Sequence, residues 1–159
     1  LWLCVQLLYY CFIRPGESRL LRVGDIEGDR IRIRAEIAKN GKNARVAVPR
    51  VFEPALSAAV AGRPPGAWLF PSFRDNPRPV GRNTFNRQHS QILQTKNWGP
   101  GYSLYSWKHT GVINMVQSGI NIKQLQFQLR HHSLDEVQGY LRQLGLGEMV
   151  DIRLNVQEL

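Results

Sequence analysis

The sequence contains few cysteines and no cluster of metal-ligating residues. Cys4 and Cys11 are the two cysteines among 159 residues. Their separation on one predicted helix is roughly 10 Å along its axis, which is too far for a disulfide. No Cys and His residues occur at the spacing of a structural zinc site. We therefore predict two buried thiols, no metal, and a cytoplasmic protein.

Long apolar runs are also absent. The opening run, LWLCVQLLYYCFI, has 13 residues, whereas a membrane-spanning helix needs about 20. It contains Gln6 and lacks the basic segment of a signal peptide. We predict a buried helix and no membrane association. Because no capping residue precedes this helix, we expect the chain to be truncated at its N-terminus and another domain to precede residue 1.

Acidic residues are scarce relative to basic ones. The chain has 21 Lys and Arg against 12 Asp and Glu, a net charge of +9 and a pI near 10.2. This balance is typical of proteins that bind a polyanion, and nucleic acid is the leading candidate. A solvated basic face that serves only solubility is the alternative. The excess of basic residues is concentrated between residues 63 and 108. This stretch contains a single acid, Asp75, and seven basic residues: Arg63, Arg74, Arg78, Arg82, Arg87, Lys96 and Lys108.

The length and the residue pattern predict one α+β domain, mainly helical, with a small antiparallel β-sheet on one side. Residues 30–35 and 45–48 alternate between apolar and polar positions around Asn40-Gly41, which predicts a hairpin with an Asn-Gly turn. Its basic face would offer Arg and Lys to a ligand. Apolar periodicity and capping residues predict helices over 1–13, 15–24, 51–61, 83–93, 104–117, 122–129 and from Ser133.

One short stretch, LRHHSLDEVQGY, combines a helix start with reactive side chains. Ser133 and Glu136 form the S-x-x-E pattern of a capping box, and Tyr140 follows about two turns into the helix. His131 precedes Tyr140 by nine residues. Tyr140 in this position is either a nucleophile or a packing residue with its hydroxyl at the rim.

Three basic residues lie at predicted loop or helix edges where they could converge. They are Arg14, Lys39 and Lys108. Each also has a simpler explanation, since Arg14 could pair with Glu17, Lys39 could be a solvated turn residue and Lys108 a surface charge.

The order of these motifs resembles the catalytic domain of tyrosine recombinases, the phage integrase family. The shared features are Arg-Pro-x-Glu after an apolar helix, a lysine in a hairpin, a four-residue box whose last residue is basic and precedes His-Thr, and a histidine nine residues before a tyrosine. The resemblance extends from Leu1 to about Leu144. It implies double-stranded DNA as the partner and residues 1–159 as a catalytic domain that lacks its N-terminal DNA-binding domain.

Four residues keep the family's pattern. By resemblance, Arg14 is the first arginine of the site, and Lys39 is the hairpin lysine, with Lys42 as the other candidate. His131 aligns with the family's His/Trp position, and Tyr140 aligns with the nucleophile.

Two residues depart from the pattern. Tyr105 occupies the position of a histidine, and Lys108 that of an arginine. Lysine keeps the charge but not the bidentate geometry of a guanidinium. The Tyr105 hydroxyl can bind a phosphate oxygen but is a poor proton acceptor, and the adjacent His109 is either a proton carrier or a packing residue.

The resemblance implies a specific reaction. Tyr140 would attack a DNA phosphodiester, form a 3′-phosphotyrosyl bond and release a 5′-hydroxyl. Arg14, Lys108 and His131 would offset the negative charge of the transition state and favour the phenolate, and Lys39 would protonate the leaving oxygen. The reaction then needs neither a metal nor a cofactor.

Several expectations and alternatives accompany this function. A cleavage-deficient DNA-binding module of the same fold and a type IB topoisomerase are the alternatives. The two departures suggest a Bacteroides-type integrase from a bacterial mobile element or phage. We expect a homotetramer on DNA and a monomer in isolation. The tail, residues 145–159, would dock on a neighbouring protomer or in cis.

Overall fold

The structure, a computed structural model, describes residues 1–72, 78–99 and 101–146. A three-stranded antiparallel sheet of order β1-β2-β3 lies beside a helical assembly, which confirms the predicted fold class. The strands are β1 (Ile26–Glu27), β2 (Arg30–Ile33) and β3 (Ala44–Ala47). The α-helices of the described residues are α1 (Trp2–Cys11), α2 (Pro15–Ser18), α3 (Glu53–Val60), α4 (Thr84–Thr95), α5 (Ser106–Gln117), α6 (Ile122–Leu129) and α7 (Leu134–Gln143).

Helix α1 is central, as its largely apolar sequence predicts. Cys4 and Cys11 are free and fully buried, and burial raises the pKa of Cys4 to about 12. Helix α5 approaches α1 closely because residue 111 is glycine. A Cβ on Gly111 would lie 2.1 Å from the carbonyl oxygen of Tyr9. No described helix has the length and apolarity needed to cross a bilayer.

A second apolar cluster holds the last three helices together. It contains Val112 of α5, Leu125 and Leu129 of α6, and Val137 of α7, all fully buried. Both predicted caps of these helices are confirmed: Asn121 accepts a hydrogen bond from the backbone of Lys123, and Ser133 accepts one from Glu136. The cap geometry therefore sets where α6 and α7 begin.

The sheet buries the apolar face that the alternation predicts. Ile31, Ile33 and Val46 are fully buried, and Ile31 pairs with Val46 across β2 and β3. The predicted hairpin is confirmed, since β2 pairs with β3 antiparallel, but Asn40-Gly41 does not form a type I′ turn. Residues 34–43 connect the strands, and Gly41 has a positive φ of 66° whereas Asn40 does not, so the two central positive φ values of a type I′ turn are missing.

The basic outer face of the sheet is largely neutralised by acids. Arg34 lies 3.0 Å from Asp25, and Arg32 lies 3.4 Å from the same carboxylate. Arg45 lies 2.9 Å from Glu27. These three arginines are therefore engaged in ion pairs rather than free, although Arg45 also lines the cleft described below.

Other boundaries differ from the sequence predictions for identifiable reasons. The second helix is short because the backbone N–H groups of Val23 and Gly24 bond to the carbonyls of Ala67 and Pro65 instead of continuing the helix. Leu146 packs in the cluster of α5–α7. Arg74 lies outside the described residues, and so do residues 147–159 of the predicted tail.

Candidate active site

An open cleft of about 1330 Å³ lies between the start of α2, the β2–β3 connection, α6 and α7. Four of the predicted site residues line it: Arg14, Lys39, His131 and Tyr140. The lining is suited to a polyanion, because its one acid, Glu136, is outnumbered by six basic residues: Arg14, Lys39, Lys42, Arg45, Lys123 and Arg130. Tyr105 and Lys108 do not line the cleft.

Arg14 is oriented by the buried carboxylate of Glu17. The backbone N–H of Arg14 donates to Glu17 Oε2 at 3.0 Å, and its Nη1 donates to Oε1 at 3.3 Å. Arg14 keeps 26% exposure while Glu17 keeps 3%, so the guanidinium is held yet reachable. The pairing with Glu17 and the position at the cleft are therefore both observed. Burial would raise the pKa of Glu17, but the hydrogen bonds and charges of Arg130 and Arg14 outweigh it and hold that pKa below its ordinary value.

The lysine of the β2–β3 connection is anchored to the same acid. The backbone N–H of Lys39 donates to Glu17 Oε1 at 3.3 Å, and its side chain lines the cleft. Lys42 lines the cleft as well, but its N–H bonds to Asn40 within the connection. The contact with Glu17 therefore ties Lys39, rather than Lys42, to Arg14.

Lys108 is buried beneath the site and keeps 1% exposure, so a surface charge is the wrong explanation for it. Its Nζ lies 5.6 Å from the centroid of the Tyr105 ring. Burial, with repulsion from Arg14, Arg130 and Lys39 against the opposing attraction of Glu17, lowers its pKa to about 7. The Lys108 amine is therefore about half protonated near neutral pH.

Tyr140 is half-buried at the wall of the cleft. Its hydroxyl oxygen lies 2.7 Å from Nδ1 of His109, and its ring centroid lies 5.7 Å from that of His131. Burial, with a smaller contribution from Tyr105, raises its pKa despite the nearby charge of Arg14. The charge of Arg14 acts in the expected direction and favours the phenolate, but burial of the Tyr140 side chain outweighs it.

His109 is the partner of Tyr140 that sequence reasoning left open. Burial, and then the charge of Lys108, lower its pKa, so the imidazole is neutral and one ring nitrogen can accept a proton. Tyr105 packs edge-on against this ring at 5.2 Å between centroids. Tyr105 thus contacts both His109 and Lys108.

His131 is held by the end of α6. Its N–H donates to the carbonyl of Gln126 at 3.1 Å, and the buried amide of Gln126 donates to the carbonyls of His131 and His132. Burial, followed by the charge of Lys108, lowers the pKa of His131. The capping box is offset by one residue, because Glu136 accepts from the N–H of His132 rather than from Ser133.

Arg130 is a site residue that the sequence did not single out. Its Nη1 and Nη2 donate to the two oxygens of Glu17 at 3.0 and 2.7 Å. These residues are 113 positions apart, and no local pattern relates them.

The sequence model of the phage integrase family matches residues 2–145, and the chain belongs to that family. It is 25% identical over 135 residues to a putative integrase/recombinase, y4qK, of Sinorhizobium fredii, covering 84% of this chain and 43% of the relative. It is 26% identical over 137 residues to a tyrosine recombinase of Thermosipho africanus, covering 86% and 47%. The chain thus spans about half the length of the curated relatives it matches.

Solved structures share the fold. XerA recombinase matches with a TM-score of 0.66 and 20% identity, over 94% of this chain and 53% of that one. The Tn1549 transposon integrase, in complex with a circular intermediate DNA, matches with a TM-score of 0.68 and 13% identity, over 86% and 52%. The resemblance found in the sequence is therefore confirmed, and the family is a class of DNA strand-transferring enzymes.

Proposed function

We propose that this chain is the catalytic domain of a site-specific recombinase that cleaves and rejoins double-stranded DNA through Tyr140. The observation that carries the proposal is the hydrogen bond between Tyr140 and His109 at the wall of a cleft lined by six basic residues. A phosphodiester in this cleft would meet the Tyr140 hydroxyl and the Arg14 guanidinium together. Membership of the family supports the same reaction.

In the proposed step the Tyr140 oxygen attacks the phosphorus, and the bond from phosphorus to the 5′-oxygen breaks. The Tyr140 proton passes to His109, whose lowered pKa leaves it neutral and able to accept. Lys39 donates a proton to the departing 5′-oxygen. The products are a 3′-phosphotyrosyl bond and a free 5′-hydroxyl, and the reverse attack by another 5′-hydroxyl rejoins DNA.

Fixed hydrogen-bond donors and positive charges stabilise the charge that develops on the phosphate. Arg14 and His131 line the cleft, whereas Lys108 acts from beneath it. A bound phosphate would favour the protonated form of Lys108, since an opposite charge raises the pKa of an ammonium. Tyr105 serves by holding His109 and Lys108 rather than by touching the phosphate.

The reaction so described uses no metal and no cofactor. Within the described ranges, no group of three or more His, Cys, Asp or Glu residues is arranged to hold a metal ion. Adduct formation is expected to persist in EDTA, and its loss there would contradict this part of the proposal. An N-terminal DNA-binding domain that precedes these residues is an additional part of the proposal. Assembly as a homotetramer on DNA, with residues 145–159 docked on a neighbouring protomer or in cis, is also part of the proposal.

Because the target sequence is unknown, the test uses a pool of labelled duplexes. Each duplex has randomised sequence around a nick placed a few nucleotides from the candidate cleavage position, so that the short leaving strand diffuses away. Covalent protein–DNA adducts are separated by denaturing electrophoresis and sequenced. We expect adducts with the natural chain and none with Tyr140→Phe, which keeps the ring but removes the attacking oxygen.

Three outcomes would contradict the proposal. Adducts that persist in Tyr140→Phe would assign the nucleophile elsewhere. Salt-dependent binding without any adduct would indicate a DNA-binding module that does not cleave. Relaxation of supercoiled plasmid without site preference would indicate a topoisomerase.

A further inference from the structure

The carboxylate of Glu17 is the meeting point of three segments that carry separate parts of the site. It accepts hydrogen bonds from the Arg14 backbone and side chain, from the Lys39 backbone, and from both terminal nitrogens of Arg130. Arg14 begins α2, Lys39 lies in the β2–β3 connection, and Arg130 ends α6. One buried acid therefore joins helix, sheet and helix directly below the cleft.

Arg130 provides the contact from the α6 side. Its side chain keeps 7% exposure and that of Glu17 keeps 3%, so water screens the pair little. Two parallel N–H···O bonds fix the angle between a guanidinium and a carboxylate as well as their distance. The next residue along the chain is His131, so the same pair sets the distance from His131 to Arg14 and Lys39.

The backbone at Arg130 adopts a conformation that is unfavourable for arginine. Its φ of 59° and ψ of 40° place it in the left-handed region, which a side chain disfavours. A helix end of this kind is most easily formed by glycine. The strain is offset here by a side chain that makes the two buried hydrogen bonds to Glu17.

A second contact ties the same helix to the sheet. The side-chain amide of Gln128 accepts from the N–H of Ala47 at 2.9 Å and donates to its carbonyl at 2.8 Å. These two bonds pair α6 with the outer edge of β3. Helix α6 is thus held to the sheet at Gln128 and to α2 at Arg130, which leaves little freedom for His131 to move relative to Arg14.

We propose that Arg130 is a positioning residue for strand transfer, which acts through its two hydrogen bonds to Glu17 to hold Arg14 and Lys39 in register with His131. This inference rests on the strand-transfer function proposed above. Arg130 also lines the cleft, but both of its terminal nitrogens donate to Glu17, so we assign it to the alignment of the site rather than to bond formation. Arg130 affects the positions of the side chains that donate hydrogen bonds to the phosphate, and a small misplacement of such donors lowers the rate strongly.

The test compares Arg130→Lys with the natural chain on a DNA sequence recovered from the adduct pool. Lysine preserves the charge that balances Glu17 but offers a point charge instead of the rigid fork. We expect the single-turnover rate of adduct formation at saturating DNA to fall at least about tenfold. The DNA concentration for half-maximal rate should stay within about threefold, because phosphate binding by the other cations is intact.

Arg142→Lys is the matched control, since Arg142 is exposed on α7 and does not line the cleft. It should match the natural chain in rate, and thermal unfolding should show both variants folded at the assay temperature. A rate for Arg130→Lys equal to that of the control would overturn the inference. A lower rate with an equally large rise in the half-maximal DNA concentration would make Arg130 a DNA contact and would also overturn it. Absence of adduct in the natural chain would overturn the proposed function together with this inference. Adduct in the natural chain with an unchanged rate in Arg130→Lys would overturn the inference alone.

Discussion

Raising the pH above neutrality is expected to slow DNA cleavage because Lys108 loses its proton. Burial and the neighbouring cations lower the pKa of Lys108 to about 7, and only the ammonium form offsets negative charge in the transition state. The protonated fraction then falls from about one half at pH 7 to about one tenth at pH 8. The rate at low DNA concentration should therefore fall about tenfold for each further pH unit.

The assay is single-turnover adduct formation between pH 6 and pH 9, with DNA well below its half-maximal concentration. This regime reports the ionisation of the protein before it binds DNA. At saturating DNA the bound phosphate should raise the pKa of Lys108, so the fall in rate should begin at a higher pH.

Two substitutions decide whether Lys108 is the titrating group. In Lys108→Arg the cation stays protonated throughout this range, so the decline that begins near pH 7 should disappear and the rate at neutral pH should match or exceed that of the natural chain. Lys108→Met removes the charge and should be slow at every pH. A decline at the same pH in Lys108→Arg would refute the reasoning.

Three further outcomes are expected. Lys108→Met should raise the free energy of unfolding at pH 7 by on the order of 2–4 kcal/mol. Because the pKa of Lys108 is lower in the folded chain, the unfolded chain binds more protons between about pH 7 and 10.5, so Lys108 opposes folding most at low pH and less as the pH rises. Chemical denaturation of both chains at pH 7 and pH 9 tests this sign. His109→Gln should slow adduct formation about 100-fold at unchanged DNA affinity, because Tyr140 loses its proton acceptor; an unchanged single-turnover rate would exclude His109 from that role. Gly111→Ala should destabilise the fold by about 2–3 kcal/mol, because the new Cβ meets the Tyr9 carbonyl at 2.1 Å, whereas the control Gly139→Ala, which meets nothing within 4 Å, should be neutral or stabilising in thermal unfolding.

Local features of the chain could be predicted because their causes are local. Asn121 and Ser133 cap their helices through bonds to residues two and three positions away. The alternation at Ile31 and Ile33 predicts the inward face of the sheet because side chains of a strand point to opposite faces in turn. The hairpin of β2 and β3 was predicted correctly, whereas the conformation of Asn40-Gly41 was not, since the pair marks a turn without revealing its type.

The sequence by itself indicated the family, the helical order and four residues that the structure brings to one cleft, Arg14, Lys39, His131 and Tyr140, because these follow from residue types at short spacings. Only the tertiary structure decided the ionisation of the site and its alignment. Lys108 has a low pKa because packing removes it from water beside other cations. The bonds from His109 to Tyr140 and from Arg130 to Glu17 span 31 and 113 positions, so they exist only once α5, α6 and α7 are packed around the cleft.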